Sequence, residues 1–159
     1  VGRMTVIKNH RLIIDLFKNV SKKDNNAFLL LVGNGELKES ISDELRELID
    51  SGRVLILSER TDVEYLLRAM DVFLMPSLVE GLGIAFIEAQ ISGLKCVVSD
   101  AIPNEAYISD SIIVCRNDQP LDVWENALYS HDSNVSAKVS KDSYDIKKEI
   151  LKLESLYLQ

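Results

Sequence analysis

The sequence predicts a doubly wound α/β domain, a mostly parallel sheet of about six strands with helices on both faces. Three observations carry this expectation. Short apolar runs such as Phe28-Leu29-Leu30-Leu31-Val32 and Val54-Leu55-Ile56-Leu57 lack the alternation of a half-exposed strand, so both of their faces should be covered. Segments with apolar residues at helical spacing separate those runs. Strand-helix alternation of this kind builds βαβ units, whose right-handed crossovers set helices on both faces of the sheet.

Taken in order, Val1 and Gly2 close an opening strand, and Arg3 follows at its C-terminal edge. Lys8-Asn9-His10 leads into a helix with Leu12, Ile13, Leu16, Phe17 and Val20 on one stripe, and residues 21–26 form a polar loop. The second strand, residues 28–32, stops at Gly33-Asn34-Gly35. A helix from Glu36 turns Leu37, Ile41, Leu45, Leu48 and Ile49 inward until Gly52. After the third strand, residues 54–57, Thr61 and Glu64 are spaced as a capping box for a short helix burying Val63, Leu66, Leu67 and Met70.

Val72-Phe73-Leu74-Met75 is the fourth strand and ends at Pro76. A glycine-punctuated loop follows, then a helix with Ile84, Ile87 and Ile91 on one side, ending near Gly93. Residues 96–98 and 112–115 supply the fifth and sixth strands. A helix from Leu121 to Tyr129 surrounds Trp124, residues 131–140 are polar, and residues 142–157 read as a closing helix.

The 159 residues suit one domain with a sizeable core. A net charge of −7 argues against a nucleic-acid or membrane-surface module as the whole function, since both need a basic face. Cys96 and Cys115 sit in apolar runs with no metal-ligand spacing, and read as buried thiols in a reducing cytosol. No run approaches the roughly 18 apolar residues of a membrane span, and no signal peptide is visible. Val-Gly-Arg-Met reads as the end of a strand whose beginning is missing, so residues 1–159 are expected to be one domain of a longer protein.

Ligands of such folds lie at the C-terminal ends of the strands. Gly81 and Gly83 allow a sharp turn into the helix, whose free N–H groups and dipole suit an anion such as phosphate. The same glycines equally serve a tight strand-to-helix connection. Glu88 lies about one turn into the helix, and helical side chains tilt toward the N-terminus, so its carboxylate faces whatever the loop holds. Two carboxylate oxygens match a vicinal diol such as that of a ribose, although the helix dipole alone also favours an acid there. Glu80 sits in the loop before the helix, as a sugar-side acid or an ordinary exposed one. Arg3 and Lys8 flank the loop after the first strand, a fork and a point charge suited to a diphosphate if they are not simply surface cations.

These residues carry a resemblance. Val1-Gly2-Arg3 with Lys8-Asn9, then Gly33-Asn34-Gly35, then Glu80 and Glu88 within Pro-Ser-Leu-Val-Glu-Gly-Leu-Gly-Ile-Ala-Phe-Ile-Glu-Ala, resemble the family 4 retaining glycosyltransferases, in particular their bacterial capsular and exopolysaccharide branch. The similarity covers about residues 1–105. It implies the C-terminal, donor-binding half of a GT-B fold, with the N-terminal acceptor domain missing from this chain. It implies catalytic roles for Arg3, Lys8 and Glu80: the two cations on the donor diphosphate and leaving nucleotide, and Glu80 by the donor sugar. Glu88 would take the ribose hydroxyls, with Gly81, Leu82 and Gly83 offering backbone contacts. Gly33 joins the donor site, and the loop from Ser58 to Arg60 borders the base. No metal and no cofactor is implied.

The implied partners are a nucleotide diphosphate-sugar, a UDP-sugar first among them, and a saccharide or lipid-linked saccharide acceptor. No nucleic acid is expected. The setting would be cytoplasmic, at the inner face of the membrane, and this domain alone should turn nothing over. Many members have a Gly-Gly pair where this chain has Ile102-Pro103, so contacts from that loop do not carry over. A sugar-nucleotide epimerase of GT-B type, or a nucleotide-binding domain without transferase activity, are the alternatives. A dinucleotide fingerprint is absent, because Gly33-Asn34-Gly35-Glu36-Leu37-Lys38 follows the second strand and ends in Lys.

Overall fold

The structure, a computed structural model, describes residues 1–130. The expected closing helix at residues 142–157 and the polar stretch before it lie outside those residues. The apolar runs become five short strands: β1 (Leu29–Val32), β2 (Val54–Leu57), β3 (Val72–Met75), β4 (Lys95–Ser99) and β5 (Ile112–Cys115). Between them come α1 (His10–Lys23), α2 (Lys38–Glu44), α3 (Arg46–Asp50), α4 (Val63–Arg68), α5 (Ile84–Ile91) and α6 (Leu121–Tyr129). Every ladder is parallel. β1 pairs with β2, Leu29 opposite Val54, and a second ladder runs β3-β4-β5.

Both faces of the larger ladder are covered, as runs without alternation require. Phe73, Met75, Cys96 and Val98 pack with Phe86, Ile87 and Ala89 of α5 and Leu67 of α4. From the other face Val97 and Cys115 meet Leu16 and Val20 of α1 and Trp124 of α6. A third cluster fills the space between α1, β1 and α2 with Met4, Ile13, Phe17, Leu31 and Ile41. Both thiols are buried, and burial pushes Cys96 up to about 12, so it stays protonated and inert near neutral pH.

Several local expectations need correction. Val1 and Gly2 do not form a strand of a ladder. Their segment lies extended along the end of β1 in the parallel sense, Gly2 N–H donating to Val32 O at 2.8 Å and Met4 N–H to Asn34 O at 2.8 Å. A 3-10 turn, Val6–Lys8, then ends the run. Helix α1 takes in the first half of the expected loop and ends at Lys23. The helix from Glu36 is two helices, broken at the buried Leu45, where the backbone leaves helical geometry (φ −103°, ψ 8°).

The capping box of Thr61 and Glu64 does not form. Asp62 is the N-cap of α4, and its carboxylate is engaged by Arg60 rather than by the helix. On α5 the buried stripe is Phe86, Ile87, Ala89 and Gln90, while Ile84 is 70% exposed.

Gln90 explains part of that stripe. It is fully buried, donating to Phe86 O (3.2 Å) and Ala106 O (2.8 Å) and accepting from Ile108 N–H (2.8 Å) and Ser109 N–H (3.1 Å). A buried amide with all its groups paired stabilises the loop it holds, and leaving such groups unpaired costs about 1–3 kcal/mol each.

Candidate functional site

The C-terminal ends of β3 and β4 and the turn Val6–Lys8 meet in one hydrogen-bonded cluster. Lys8 and Glu80, 72 residues apart, form a salt bridge with side chains only 20% and 10% exposed. The Ser77 hydroxyl donates to the same Glu80 oxygen at 3.2 Å. Ser77 is itself fully buried, and its carbonyl accepts from the Ser99 hydroxyl at 2.6 Å and the Asn117 amide at 2.9 Å. The Asn9 side-chain amide donates to Asn117 Oδ1 at 3.5 Å, and Leu78 N–H donates to Ile7 O at 2.7 Å. The Pro-Ser loop is thereby tied to the turn that carries Lys8 and to the loop after β5.

Two backbone positions make this geometry. Asn9 adopts the left-handed conformation (φ 54°), which reverses the chain between the turn and α1 and is tolerated best by Gly and Asn. Gly83 does the same at the start of α5 (φ 69°), and a Cβ there would stand 3.3 Å from Glu80 Cγ. No side chain caps α5 at Gly83, so its first N–H groups are left for a ligand or solvent. Next to Lys8, Thr5 Oγ1 and His10 Nδ1 are buried without a hydrogen-bond partner among the described residues. Burial pushes the His10 imidazole below its ordinary range, which keeps it neutral near neutral pH.

Not every expected residue joins this cluster. Arg3 is exposed and lines the same cavity as Lys8 and Ser77. Gly81 and Leu82 are exposed in the loop beside Glu80, and Glu88 is exposed on α5, one turn beyond the helix start. Gly33 lies against the opening segment: a Cβ on it would stand 2.1 Å from Gly2 O. Arg60 is held apart from the cluster, its guanidinium forked onto Asp62 at 2.8 and 2.7 Å in the exposed loop after β2. Sequence reasoning missed Ser77, Ser99, Asn117 and also Lys38, which bridges Asn34 (3.0 Å) and Ser58 (2.8 Å). Only Ser77 had a signal, its place after Pro76.

Six of the twelve exposed large apolar side chains among the described residues belong to these segments. Val6 and Ile7 lie on the turn, with Leu78, Val79, Leu82 and Ile84 on the loop and α5 start. Scattered apolar residues are ordinary on a surface, but a contiguous group marks a contact face.

A parallel, helix-flanked sheet with polar groups gathered at its carboxyl edge defines the doubly wound α/β class. Residues 1–120 match the family model described as Glycosyl transferases group 1, and the chain belongs to that family. It is 33% identical over 129 residues to the putative glycosyltransferase EpsF of Bacillus subtilis, covering 80% of this chain and 34% of that protein. It is 30% identical over 172 residues to an Escherichia coli enzyme, UDP-Gal:alpha-D-GlcNAc-diphosphoundecaprenol alpha-1,3-galactosyltransferase, covering 99% and 44% respectively. The chain thus spans between a third and a half of these relatives. Among solved structures, TarM of S. aureus superposes with a TM-score of 0.70 at 25% identity, covering 80% of this chain and 26% of that one. Anabaena HepE, solved with UDP, superposes at 0.64 with 18% identity over 80% of this chain and 36% of that one, a likeness of fold alone.

Proposed function

We propose that residues 1–159 are the donor-binding domain of a retaining glycosyltransferase, working across a cleft from an N-terminal acceptor domain. The observation that carries the reading is the pairing of Lys8 with Glu80 beside the uncapped N-terminus of α5. A diphosphate laid there meets a helix dipole and backbone N–H groups, with Lys8 as a point charge and Arg3 as a fork. Glu80 accepts hydrogen bonds from the donor sugar, and its salt bridge holds the Lys8 ammonium in place before the ligand arrives. Stabilising the departing diphosphate by fixed charges is how such a site lowers the barrier.

Gly81, Leu82 and Gly83 present backbone to the phosphate and sugar. Glu88 lies farther along α5, on the ribose side. Gly33 and Arg60 sit at the neighbouring strand ends, where the base would extend. The UDP-galactose and diphosphoundecaprenol in the name of the E. coli relative support a UDP-sugar donor and a lipid-linked saccharide acceptor. An acceptor of that kind would support work at the inner face of the membrane. EpsF and the Erwinia amylovora relative named for amylovoran biosynthesis support a role in capsular or exopolysaccharide synthesis. The apolar edge around Leu78 and Ile84 supports the second domain, since a contact face of that kind is where one would close.

The orientation of the nucleotide is tested through Glu88. Glu88→Gln is expected to weaken UDP binding by about tenfold, the value of a charge-assisted hydrogen bond pair, while leaving pyrophosphate binding unchanged. Calorimetric titration of both ligands decides it. Equal losses would remove the ribose assignment.

A further inference from the structure

The segments that follow β1 and β2 carry two cations with different commitments. Arg60 turns its fork onto Asp62, at 2.8 and 2.7 Å. Lys38, the first residue of α2, reaches across the strand ends instead. Its ammonium donates to Asn34 Oδ1 at 3.0 Å, in the loop after β1, and to Ser58 Oγ at 2.8 Å, in the loop after β2. An ammonium has three N–H donors and no acceptor, so one donor remains beyond these two bonds among the described residues. Asn34 and Ser58 are exposed, and water competes for each of them, so the bridge contributes little to the fold.

Backbone bonds set this cluster beside the residue expected on the diphosphate. Met4, next to Arg3, donates to Asn34 O at 2.8 Å, and its carbonyl accepts from Leu37 N–H at 3.0 Å. Gly35 allows that approach, since a Cβ there would stand 2.3 Å from Met4 O. Asn34 and the start of α2 are thus tied to the segment that carries Arg3. Ser58 opens the loop into α4, and α4 packs on α5 through Leu67 and Phe86. The inference rests on the donor-site reading above, in which the diphosphate lies at Arg3 and the start of α5, and the base extends to these strand ends.

We propose that Lys38 selects the base. Its ammonium donates to a carbonyl on the base edge, so the site takes a nucleoside diphosphate whose base presents a keto group beside a ring N–H. Uracil does this, with O4 as acceptor and N3–H next to it. Cytosine presents the same edge with its polarity reversed, N4–H2 as donor and N3 as acceptor. The Ser58 hydroxyl and the Asn34 amide each carry a donor and an acceptor, and can serve either edge. The ammonium cannot. An amine set against it loses water and gains no partner, the kind of mismatch by which a hydrogen-bonding site rejects an analogue.

Titration calorimetry of the chain with UDP and CDP, which carry equal charge, tests this. The parent is expected to bind UDP at least about tenfold more tightly than CDP. Lys38→Met is expected to bring the two within about twofold, by weakening UDP, with an unchanged Tm. A lysine acting only as a surface cation or a loop clip would lower both affinities alike. An unchanged ratio of UDP to CDP affinity in Lys38→Met therefore overturns the proposal, as does a parent that binds the two equally. Either result leaves the diphosphate site standing, because UDP still binds the parent. Absence of binding of both nucleotides to folded parent protein removes the donor site itself, and base selection with it.

Discussion

Lys8→Met is expected to destabilise the fold by about 2–3 kcal/mol and to weaken UDP binding more than tenfold. The stability loss does not come from the value of the salt bridge as such. It comes from Glu80, which is left largely buried with the Ser77 hydroxyl, at 3.2 Å, as its remaining hydrogen-bond donor among the described residues. An exposed pair contributes at most about 1 kcal/mol, and breaking a fully buried one costs about 3–5; side chains 20% and 10% exposed fall between these. Lys8→Met combined with Glu80→Gln removes the orphaned charge, so the double variant is expected to recover most of the stability, a coupling that chemical denaturation of the four proteins measures. UDP affinity should remain low in the double variant, because the cation is still absent. A double variant that is stable and binds UDP like the parent would show that Lys8 serves the fold and not the ligand.

Gly33→Ala is expected to lower stability by at least about 2 kcal/mol, or about 5 °C in Tm for a domain of this size. Two independent effects combine. The residue has φ +140°, a conformation that L side chains rarely adopt, and the new Cβ would lie 2.1 Å from Gly2 O and 2.9 Å from Gly2 C. Those are backbone atoms held to β1 by the Gly2–Val32 hydrogen bond, so they cannot swing aside as a flexible side chain would. The opening segment must leave β1, and Arg3 goes with it. Gly81→Ala is the internal contrast: nothing lies within 4 Å of its Cβ position, and the expected change is within about 0.5 kcal/mol. Thermal melting of the two variants reads this difference directly.

The sequence made the order and nature of the elements legible, because wholly apolar four-residue runs leave few alternatives to covered parallel strands. It misread details that depend on competition between local partners. Thr61 and Glu64 have capping-box spacing, yet Asp62 takes the N-cap position of α4 and Arg60 claims its carboxylate. Ile84 matches the apolar period of α5 but lies on the outer side of the first turn, while the polar Gln90 takes a core place because four backbone groups converge on it.

At the site, Lys8 and Glu80 were each readable as candidates, but not as partners, since 72 residues separate them and only the fold brings them together. Asn117 carried no signal at all, because its part is to hold the Ser77 carbonyl, a backbone atom that no residue pattern displays. Gly33 entered the donor site through the resemblance, as the glycine that ends the second strand. What approaches it in the structure is the chain's own opening segment.

The central claim is that Lys8, Arg3 and the α5 N-terminus hold a nucleoside diphosphate. Titration calorimetry of the folded chain with UDP, GDP and ADP in EDTA tests it most directly. The account predicts measurable binding of UDP without magnesium, weakened by added salt as expected for a contact between fixed cations and a diphosphate. No heat for any of the three nucleotides, from protein that melts cooperatively, would contradict it.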